Sequence, residues 1–160
     1  MRLLPPDPRL RLIFACDGAA RGNPGPAGIG AVVSGPNGEV LAEIAEGIGV
    51  ATNNVAEYRA VIAGLARARD LGATEVLLRS DSKLLIEQLS GRWRVKNPTL
   101  IRLHQEARSL AKAFDRIRFE HVPRERNRLA DRLANRGVDD WLAGPGSDHV
   151  PAGPQPDLFD

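Results

Sequence analysis

Residues 16–30, CDGAARGNPGPAGIG, place an acidic residue at the end of an apolar run and follow it with a glycine-rich bend. The run at 10–16 alternates large apolar side chains, which predicts a β-strand closed by Asp17. Asn23-Pro24-Gly25-Pro26 has turn chemistry and predicts a tight reversal into a second strand. The glycine spacing matches neither a phosphate-binding loop nor a dinucleotide-binding fingerprint. The stretch therefore predicts a hairpin with a carboxylate at one end.

The periodicity of the remaining sequence predicts an α/β fold of order βββαβααβα. Two alternating segments joined by Asn37-Gly38 predict a second hairpin, so the first three strands form an antiparallel meander. Helical spacing and short apolar runs then predict helices over 52–72, 82–91, 97–114 and 125–142 and strands over 75–81 and 116–122. We expect a five-stranded mixed sheet with helices on both faces. Leu129, Leu133 and Val138 are expected on the buried side of the last helix.

Composition indicates one soluble domain with a basic body and an acidic tail. The chain has 160 residues, is 42% hydrophobic and carries a net charge of +2. Residues 143–160 contain three Asp and no Lys or Arg, so residues 1–142 carry +5. This excess suits a polyanionic partner, although solvated helix faces would explain it equally well. We expect residues 1–9 to be an extension, 10–142 the catalytic domain and 143–160 a disordered Pro/Gly-rich tail.

Cysteine usage and hydropathy favour a reducing, cytoplasmic setting and a monomer without membrane contact. The single cysteine, Cys16, has no partner for an internal disulfide and is expected to be a buried thiol. No stretch approaches the ~18 consecutive apolar residues of a membrane span, and the first residues lack the apolar core of a secretory signal.

Four acids come from four separate predicted elements. Asp17 and Asp81 each end a strand, Glu57 lies in the second turn of a helix, and Asp131 lies early in the last helix. Taken singly, each is more often a solvated charge, and Glu57 fits the favourable end of a helix dipole. Converging carboxylates repel one another and stay ionised only beside cations, so a shared position at one sheet edge would indicate an oxygen-ligated Mg²⁺ or Mn²⁺ site.

Five blocks carry a resemblance to a known family: DGAARGNPGPAGIG, TNNVAEYRAV, RSDSKLLIEQL, VKNP and HVPRERNRLADRLAN. In order and spacing they resemble the type 1 ribonuclease H family over residues 10–138. The resemblance implies a ribonuclease H-like fold and a metal-dependent endonuclease that cleaves the RNA strand of RNA/DNA hybrids, leaving 3′-hydroxyl and 5′-phosphate ends. It further implies two Mg²⁺ ions per active site with substrate bound, with Mn²⁺ as an alternative.

The resemblance also assigns the catalytic residues. It implies that Asp17 bridges both metal ions, that Glu57 and Asp81 complete one side, and that Asp131 holds the other. His121 lies ten residues before Asp131, as the family's active-site histidine does, and would shuttle protons or help product leave. The alternative for His121 is a histidine merely hydrogen-bonded at the end of a strand.

Residues near the bend and the first helix resemble the family's contacts with the hybrid. Asn23 would approach the minor groove, Asn53 and Asn54 would face the RNA and DNA strands, and Thr52 would hold a DNA phosphate. Plain N-capping by Thr52 or Asn53 is the alternative.

The segment 90–97, SGRWRVKN, stands where some family members insert a basic helical protrusion. Trp93 with its basic neighbours is expected to replace part of that grip by stacking on a sugar, unless it anchors the loop in the interior. Lys83 is expected to contact nucleic acid, although other members carry a neutral residue there.

Two further functions stay open from sequence alone. One is a non-catalytic hybrid-binding module, and the other is a nuclease of the same fold acting on DNA junctions or double-stranded RNA.

The last residues suggest a replication partner. Gln155-Pro156-Asp157-Leu158-Phe159 resembles the peptide by which bacterial replication proteins dock on the sliding clamp, with Gln155, Leu158 and Phe159 as contacts. A chance match of five residues is the alternative.

Overall fold

A computed structural model describes residues 9–150 and has the predicted order of strands and helices. Its elements are β1 (Arg11–Ala20), β2 (Gly25–Ser34), β3 (Val40–Ala51), α1 (Asn53–Asp70), β4 (Glu75–Ser80), α2 (Lys83–Leu89), α3 (Pro98–Ala111), β5 (Arg116–His121), a 3-10 turn (Arg124–Arg126) and α4 (Arg128–Ala143). The strands form one sheet of order β3-β2-β1-β4-β5. The first three are antiparallel, whereas β4 and β5 run parallel to β1. The predicted fold class is confirmed.

Asp17 does not close β1, contrary to the prediction. The strand continues to Ala20 because β2 pairs with it as far as Ala20 opposite Ala27. On the other side, pairing with β4 ends at Ala15 opposite Arg79, two residues before Asp17. Asp17 therefore lies beside the carboxyl end of β4, where Asp81 follows at once.

Local signals fix the ends of α1. The Thr52 hydroxyl accepts a hydrogen bond from the Val55 N–H at 3.2 Å, which satisfies one free amide of the first turn. Gly72, just past the helix, has a φ of 88°, a left-handed conformation that favours glycine. The expected N-cap and stop are both confirmed.

Helices cover the two faces of the sheet differently. On one face, α1 and α3 pack on a cluster that includes Phe14, Tyr58 and Leu78. Cys16 belongs to this cluster and is fully buried, as expected. On the other face, α4 covers β2 and parts of β1 and β3.

The buried stripe of α4 differs by one residue from the prediction. It consists of Ala130, Leu133, Ala134, Gly137 and Val138, which follow the i, i+3, i+4, i+7, i+8 pattern. Leu129 precedes this stripe by one position and is 36% exposed, so its expected burial was wrong.

The described structure extends beyond residue 142, where the domain was expected to end. Helix α4 ends at Ala143, and a turn follows in which Gly146 is buried against the Trp141 ring. Residues 1–8 and 151–160 lie outside the described part, and with them Gln155, Leu158 and Phe159 of the proposed docking peptide. No helix within residues 9–150 has the length and apolar character needed to cross a membrane.

Candidate active site

Two glycines bring the acids of the helices to the acid of β1. Gly18 follows Asp17, and α1 lies so close that a Cβ at Gly18 would overlap the backbone of Ala56 and Glu57. This contact places Glu57 in the first turns of α1 beside the end of β1. A larger residue at position 18 would push the helix and its carboxylate away.

Gly30 allows α4 to approach the sheet in the same way. It pairs with Asp17 across the β1–β2 ladder. A Cβ at Gly30 would overlap the backbone of Ala130 and Ala134, so the turn carrying Asp131 lies directly over the strand pair. The glycine-rich bend seen in the sequence therefore serves helix packing around an acid cluster.

The fourth acid, Asp81, is held by groups that sequence analysis did not single out. The Asn127 Nδ2 group lies 3.5 Å from Asp81 Oδ1, and Arg124 Nε lies 3.9 Å from Asp81 Oδ2. The Asp81 side chain is 17% exposed. Its carboxylate thus faces the site with little solvent around it.

The environment of Asp17 opposes its ionisation. Burial, a hydrogen bond with the Asp131 carboxyl, and the negative charges of Asp81, Asp131 and Glu57 together raise the pKa of Asp17 to about 8. Burial likewise raises the pKa of Glu57 to about 7, although a hydrogen bond with Ser82 works in the opposite direction.

These residues fit a divalent cation in donor chemistry and charge. The four carboxyl groups provide only oxygen ligands, which Mg²⁺ and Mn²⁺ prefer, and the raised pKa values of Asp17 and Glu57 reflect burial and nearby negative charge. Within residues 9–150, no three His, Cys, Asp or Glu side chains already stand at metal-ligand spacing. The negative charges of Glu57, Asp81 and Asp131 nevertheless act on Asp17, and a cation between the carboxylates would draw them together. The four predicted acids share one site.

His121 lies at the rim of this site. It is exposed, and its Nε2–H donates to the main-chain carbonyl of Asp81 at 3.1 Å. The strand-end hydrogen bond expected as the alternative is therefore present. The same contact puts the imidazole next to a site acid, within reach of a bound substrate.

The expected nucleic-acid contacts at the bend are tied to the start of α1. The Asn23 side-chain oxygen accepts from the Asn53 N–H at 3.1 Å, and the Asn53 side-chain oxygen accepts from the Ala20 N–H at 3.1 Å. Asn23, Asn53 and Asn54 are exposed, whereas Thr52 caps the helix. Their contacts with a hybrid remain predictions.

Trp93 and Lys83 form a second exposed cluster. Trp93 is 44% exposed, so it is not an interior anchor for its loop. The Lys83 ammonium lies 5.8 Å from the centroid of the Trp93 ring, within cation–π range. Arg92, next to the tryptophan, pairs with Glu87 at 2.6 Å. An aromatic face with a cation beside it suits a sugar–phosphate backbone.

Asn127 is the most important residue that sequence analysis missed. It is 2% exposed, and its Nδ2 group donates to the Cys16 carbonyl at 2.9 Å and approaches Asp81. Its main-chain oxygen accepts from the Asp131 N–H at 3.1 Å, the first bond of α4. Asn127 therefore connects β1, Asp81 and the helix of Asp131. An asparagine in a loop carries no periodic or charge signal that could have revealed this role.

Comparison with known proteins agrees with this architecture. A family model described as reverse transcriptase-like matches residues 15–137. A bifunctional protein of Mycobacterium tuberculosis is 53% identical over 144 residues, which cover 89% of this chain but 40% of that protein. Ribonuclease HI of Halobacterium salinarum is 47% identical over 135 residues, which cover 84% of this chain and 68% of that protein.

A solved structure of a ribonuclease H1 shares the fold of this chain. LC11-RNase H1, crystallised in complex with an RNA/DNA hybrid, has a TM-score of 0.78 and 40% identity, covering 82% of this chain and 99% of that one. The chain belongs to the type 1 ribonuclease H family. It spans about 40% of the mycobacterial relative's length, so that relative's remaining activities are not carried over.

Proposed function

We propose that this chain is a metal-dependent endoribonuclease that cleaves the RNA strand of RNA/DNA hybrids. The observation that carries the proposal is the electrostatic coupling of Asp17, Glu57, Asp81 and Asp131 at one sheet edge. Sequence identity to a ribonuclease HI and structural similarity to an enzyme crystallised with a hybrid support the same substrate.

The acids would hold two divalent cations, Mg²⁺ in the first instance. When bound, such cations neutralise the carboxylates, activate a water and stabilise the leaving oxygen. Water attacks the scissile phosphorus, and the bond to the 3′ oxygen breaks, which leaves a 3′-hydroxyl and a 5′-phosphate. His121, hydrogen-bonded to the Asp81 carbonyl, is placed to carry protons between the site and solvent.

Recognition of the hybrid would rest on its shape. The exposed amides of Asn23, Asn53 and Asn54 lie on the bend and the start of α1, and amide groups suit the 2′-hydroxyls and base edges of a wide minor groove. Thr52 and the first turn of α1 would hold a DNA phosphate. We expect little sequence preference.

A gel assay tests the activity. Labelled RNA/DNA hybrid, duplex DNA, duplex RNA and a DNA junction are each incubated with the full chain in Mg²⁺, Mn²⁺ or chelator. We expect cleavage of the RNA strand of the hybrid alone, and only with a divalent cation. Binding to the hybrid without cleavage would contradict the proposal and leave a binding module. Preferential cleavage of a junction or of duplex RNA would assign a different substrate.

We infer further that the C-terminal peptide docks on a replication sliding clamp. The support is sequence alone: Leu158 and Phe159 are the only adjacent large apolar pair in residues 143–160 and follow a Pro/Gly-rich stretch. Burying two such side chains contributes about 1.5 to 3 kcal/mol each, offset by ordering the peptide, so binding should be micromolar. Tethering would raise the enzyme's effective concentration at sites of DNA replication.

Calorimetry of the full chain against the sliding clamp of the same organism tests this inference. A Leu158→Ala/Phe159→Ala variant is the control. We expect micromolar binding by the wild type and none by the variant. Equal binding by both, or binding by neither, would refute the inference and leave the nuclease assignment intact.

A further inference from the structure

We propose that Arg124 and Arg128 form a subsite for the RNA phosphate next to the one that is cleaved. The proposal rests on the proposed function and adds a substrate contact to it. The feature is a concavity of about 290 Å³ beside the acid cluster, lined by Arg124, Glu125, Arg128 and Asp131. We call it the Arg124–Arg128 pocket.

The pocket is continuous with the catalytic acids. Asp131 forms part of its wall, and Arg124 Nε approaches Asp81 Oδ2 to 3.9 Å. The two arginines therefore border the position of the scissile phosphate on the side of Asp81 and Asp131. The anionic group expected to enter there is the phosphate next to the scissile one on the RNA strand.

The arginines are free to bind such a group. The Arg124 side chain is 87% exposed, and its contact with Asp81, at 3.9 Å, is long for an ion pair, so it costs little to exchange. Arg128 is exposed and makes no ion pair with any residue of the 9–150 region. Guanidinium groups present several donors in a plane, a geometry that matches phosphate oxygens.

The start of α4 adds to the attraction. Arg128 is the first residue of this 16-residue helix, and no side chain in the described region caps its first-turn amides. The Asn127 amide, which occupies the cap position, donates instead to the Cys16 carbonyl. Uncapped amides and the helix dipole favour an anion at the same place as the two guanidinium groups.

Two acids in the pocket set a condition on phosphate binding. Glu125 and Asp131 balance the charge of the two arginines in the metal-free protein. A cation held by Asp131 would leave the pocket positive. The subsite is thus expected to form together with the loaded active site, so that Arg124 exchanges Asp81 for a phosphate oxygen.

The chain offers a closely matched control. Arg126 shares the 3-10 turn with Arg124, and Arg132 lies one turn along α4 from Arg128. Both are exposed, and neither lines the pocket. Arg124→Gln/Arg128→Gln and Arg126→Gln/Arg132→Gln therefore remove the same charge from adjacent surfaces.

Hybrid binding at several salt concentrations tests the subsite. Both double variants are made in the full-length Asp17→Asn background, which prevents cleavage but leaves Glu57, Asp81 and Asp131 to hold Mg²⁺, and binding is measured in Mg²⁺ at constant concentration. Loss of one phosphate contact makes the negative slope of log K against log salt shallower, a decrease in its magnitude of about 0.7 to 0.9. We expect this decrease for Arg124→Gln/Arg128→Gln and an unchanged slope for the control pair. Equal decreases in both, or none in either, would overturn the proposal.

A chemically modified hybrid locates the phosphate. A single neutral methylphosphonate linkage is moved along the RNA strand in successive substrates. Beside the cleavage position it should weaken binding by the Asp17→Asn parent and have no further effect on the Arg124→Gln/Arg128→Gln form. An effect of equal size in both proteins, or one confined to the DNA strand, would contradict the assignment. If either of these results occurs while the wild type still cleaves the unmodified hybrid, the subsite proposal fails and the proposed nuclease function stands.

Discussion

Charged side chains are paired at the amino ends of strands β1 and β4, whereas acidic side chains gather at their carboxyl ends. At the amino end, Arg11 and Glu75 are register partners on neighbouring strands and form an ion pair at 2.9 Å. At the carboxyl end, Glu57 and Asp131 join Asp17 and Asp81, and among residues 9–150 the one ion-pair contact to these acids is that of Arg124 with Asp81, at 3.9 Å. The sheet therefore compensates charge at its amino end and leaves most of it uncompensated at the carboxyl end, where we propose that a cation and a phosphate bind.

The charged groups at the two ends of the strands also contribute differently to folding stability. An exposed ion pair such as Arg11–Glu75 contributes about 0–1 kcal/mol. The acid cluster instead raises the pKa of Asp17 and Glu57, which means that their ionised forms are disfavoured in the folded protein. A site that costs stability needs a functional explanation, and cation binding supplies one.

Neutralising one acid at each end should give the largest contrast. Asp17→Asn keeps the side-chain volume but removes a charge that the metal ions need, so we expect kcat to fall by about a thousandfold or more. Glu75→Gln, at the paired end, should leave kcat within about twofold because it breaks only a surface pair. Initial rates on a hybrid in Mg²⁺ check both. Wild-type turnover by Asp17→Asn would refute the metal assignment.

Removing the imidazole at the rim should have a smaller effect. His121→Ala deletes a proton carrier but leaves the four acids in place, so kcat should fall by about 10- to 100-fold with little change in hybrid affinity. Steady-state kinetics combined with a binding measurement in chelator separate these two effects. A loss as large as that of Asp17→Asn would show that His121 is indispensable, and no loss would leave it a structural residue.

The Trp93→Ala substitution tests whether a hybrid also contacts the protein surface beyond the four acids. Trp93→Ala removes a stacking surface worth about 1–3 kcal/mol, so KM should rise roughly five- to a hundredfold while kcat at saturation stays near the wild-type value. Trp93→Phe retains an aromatic face and should recover most of the affinity. Because the ring is 44% exposed, the melting temperature should change little. A collapsed melting temperature would favour a structural role instead.

The smallest effect concerns stability without metal. The folded-state pKa of Asp17 is about 8 and its unfolded value about 3.9, so the folded protein keeps a proton that the unfolded chain releases. This contribution to stability is present below about pH 4 and is lost as pH rises to 8. In chelator, Asp17→Asn should therefore melt higher than the wild type at pH 8, with a smaller difference at pH 5, at roughly 2–4 °C per kcal/mol.

Thermal melts at pH 5 and pH 8, with and without Mg²⁺, measure this difference. Mg²⁺ should narrow the gap at pH 8 by stabilising the wild type more than the variant. A gap that is independent of pH would mean that Asp17 is not the group that resists ionisation.

Sequence patterns predicted the fold because each element had its own local signal. The Asn37-Gly38 hairpin and the caps at Thr52 and Gly72 identified elements and some boundaries independently. The convergence of four acids followed from their positions at the ends of separate elements. What sequence could not show was how closely the helices approach, since that depends on Gly18 and Gly30 facing α1 and α4.

The errors have equally specific causes. Asp17 was placed at the end of β1 because the glycine-rich stretch after it resembled a turn, whereas pairing with β2 extends the strand to Ala20. Leu129 was assigned to the core on hydrophobicity alone, one position before the actual stripe. Asn127 was missed because its role depends on the Cys16 carbonyl, 111 residues earlier in the chain.

The placement of the two tryptophans makes the protein its own optical probe. Trp93 is half exposed beside Lys83, whereas Trp141, in the last turn of α4, packs against Gly47 and Gly146. Iodide should quench emission from the first far more than from the second. A hybrid that covers Trp93 would shield it and change the signal without any added label. Association in chelator could thus be followed in real time, separately from cleavage.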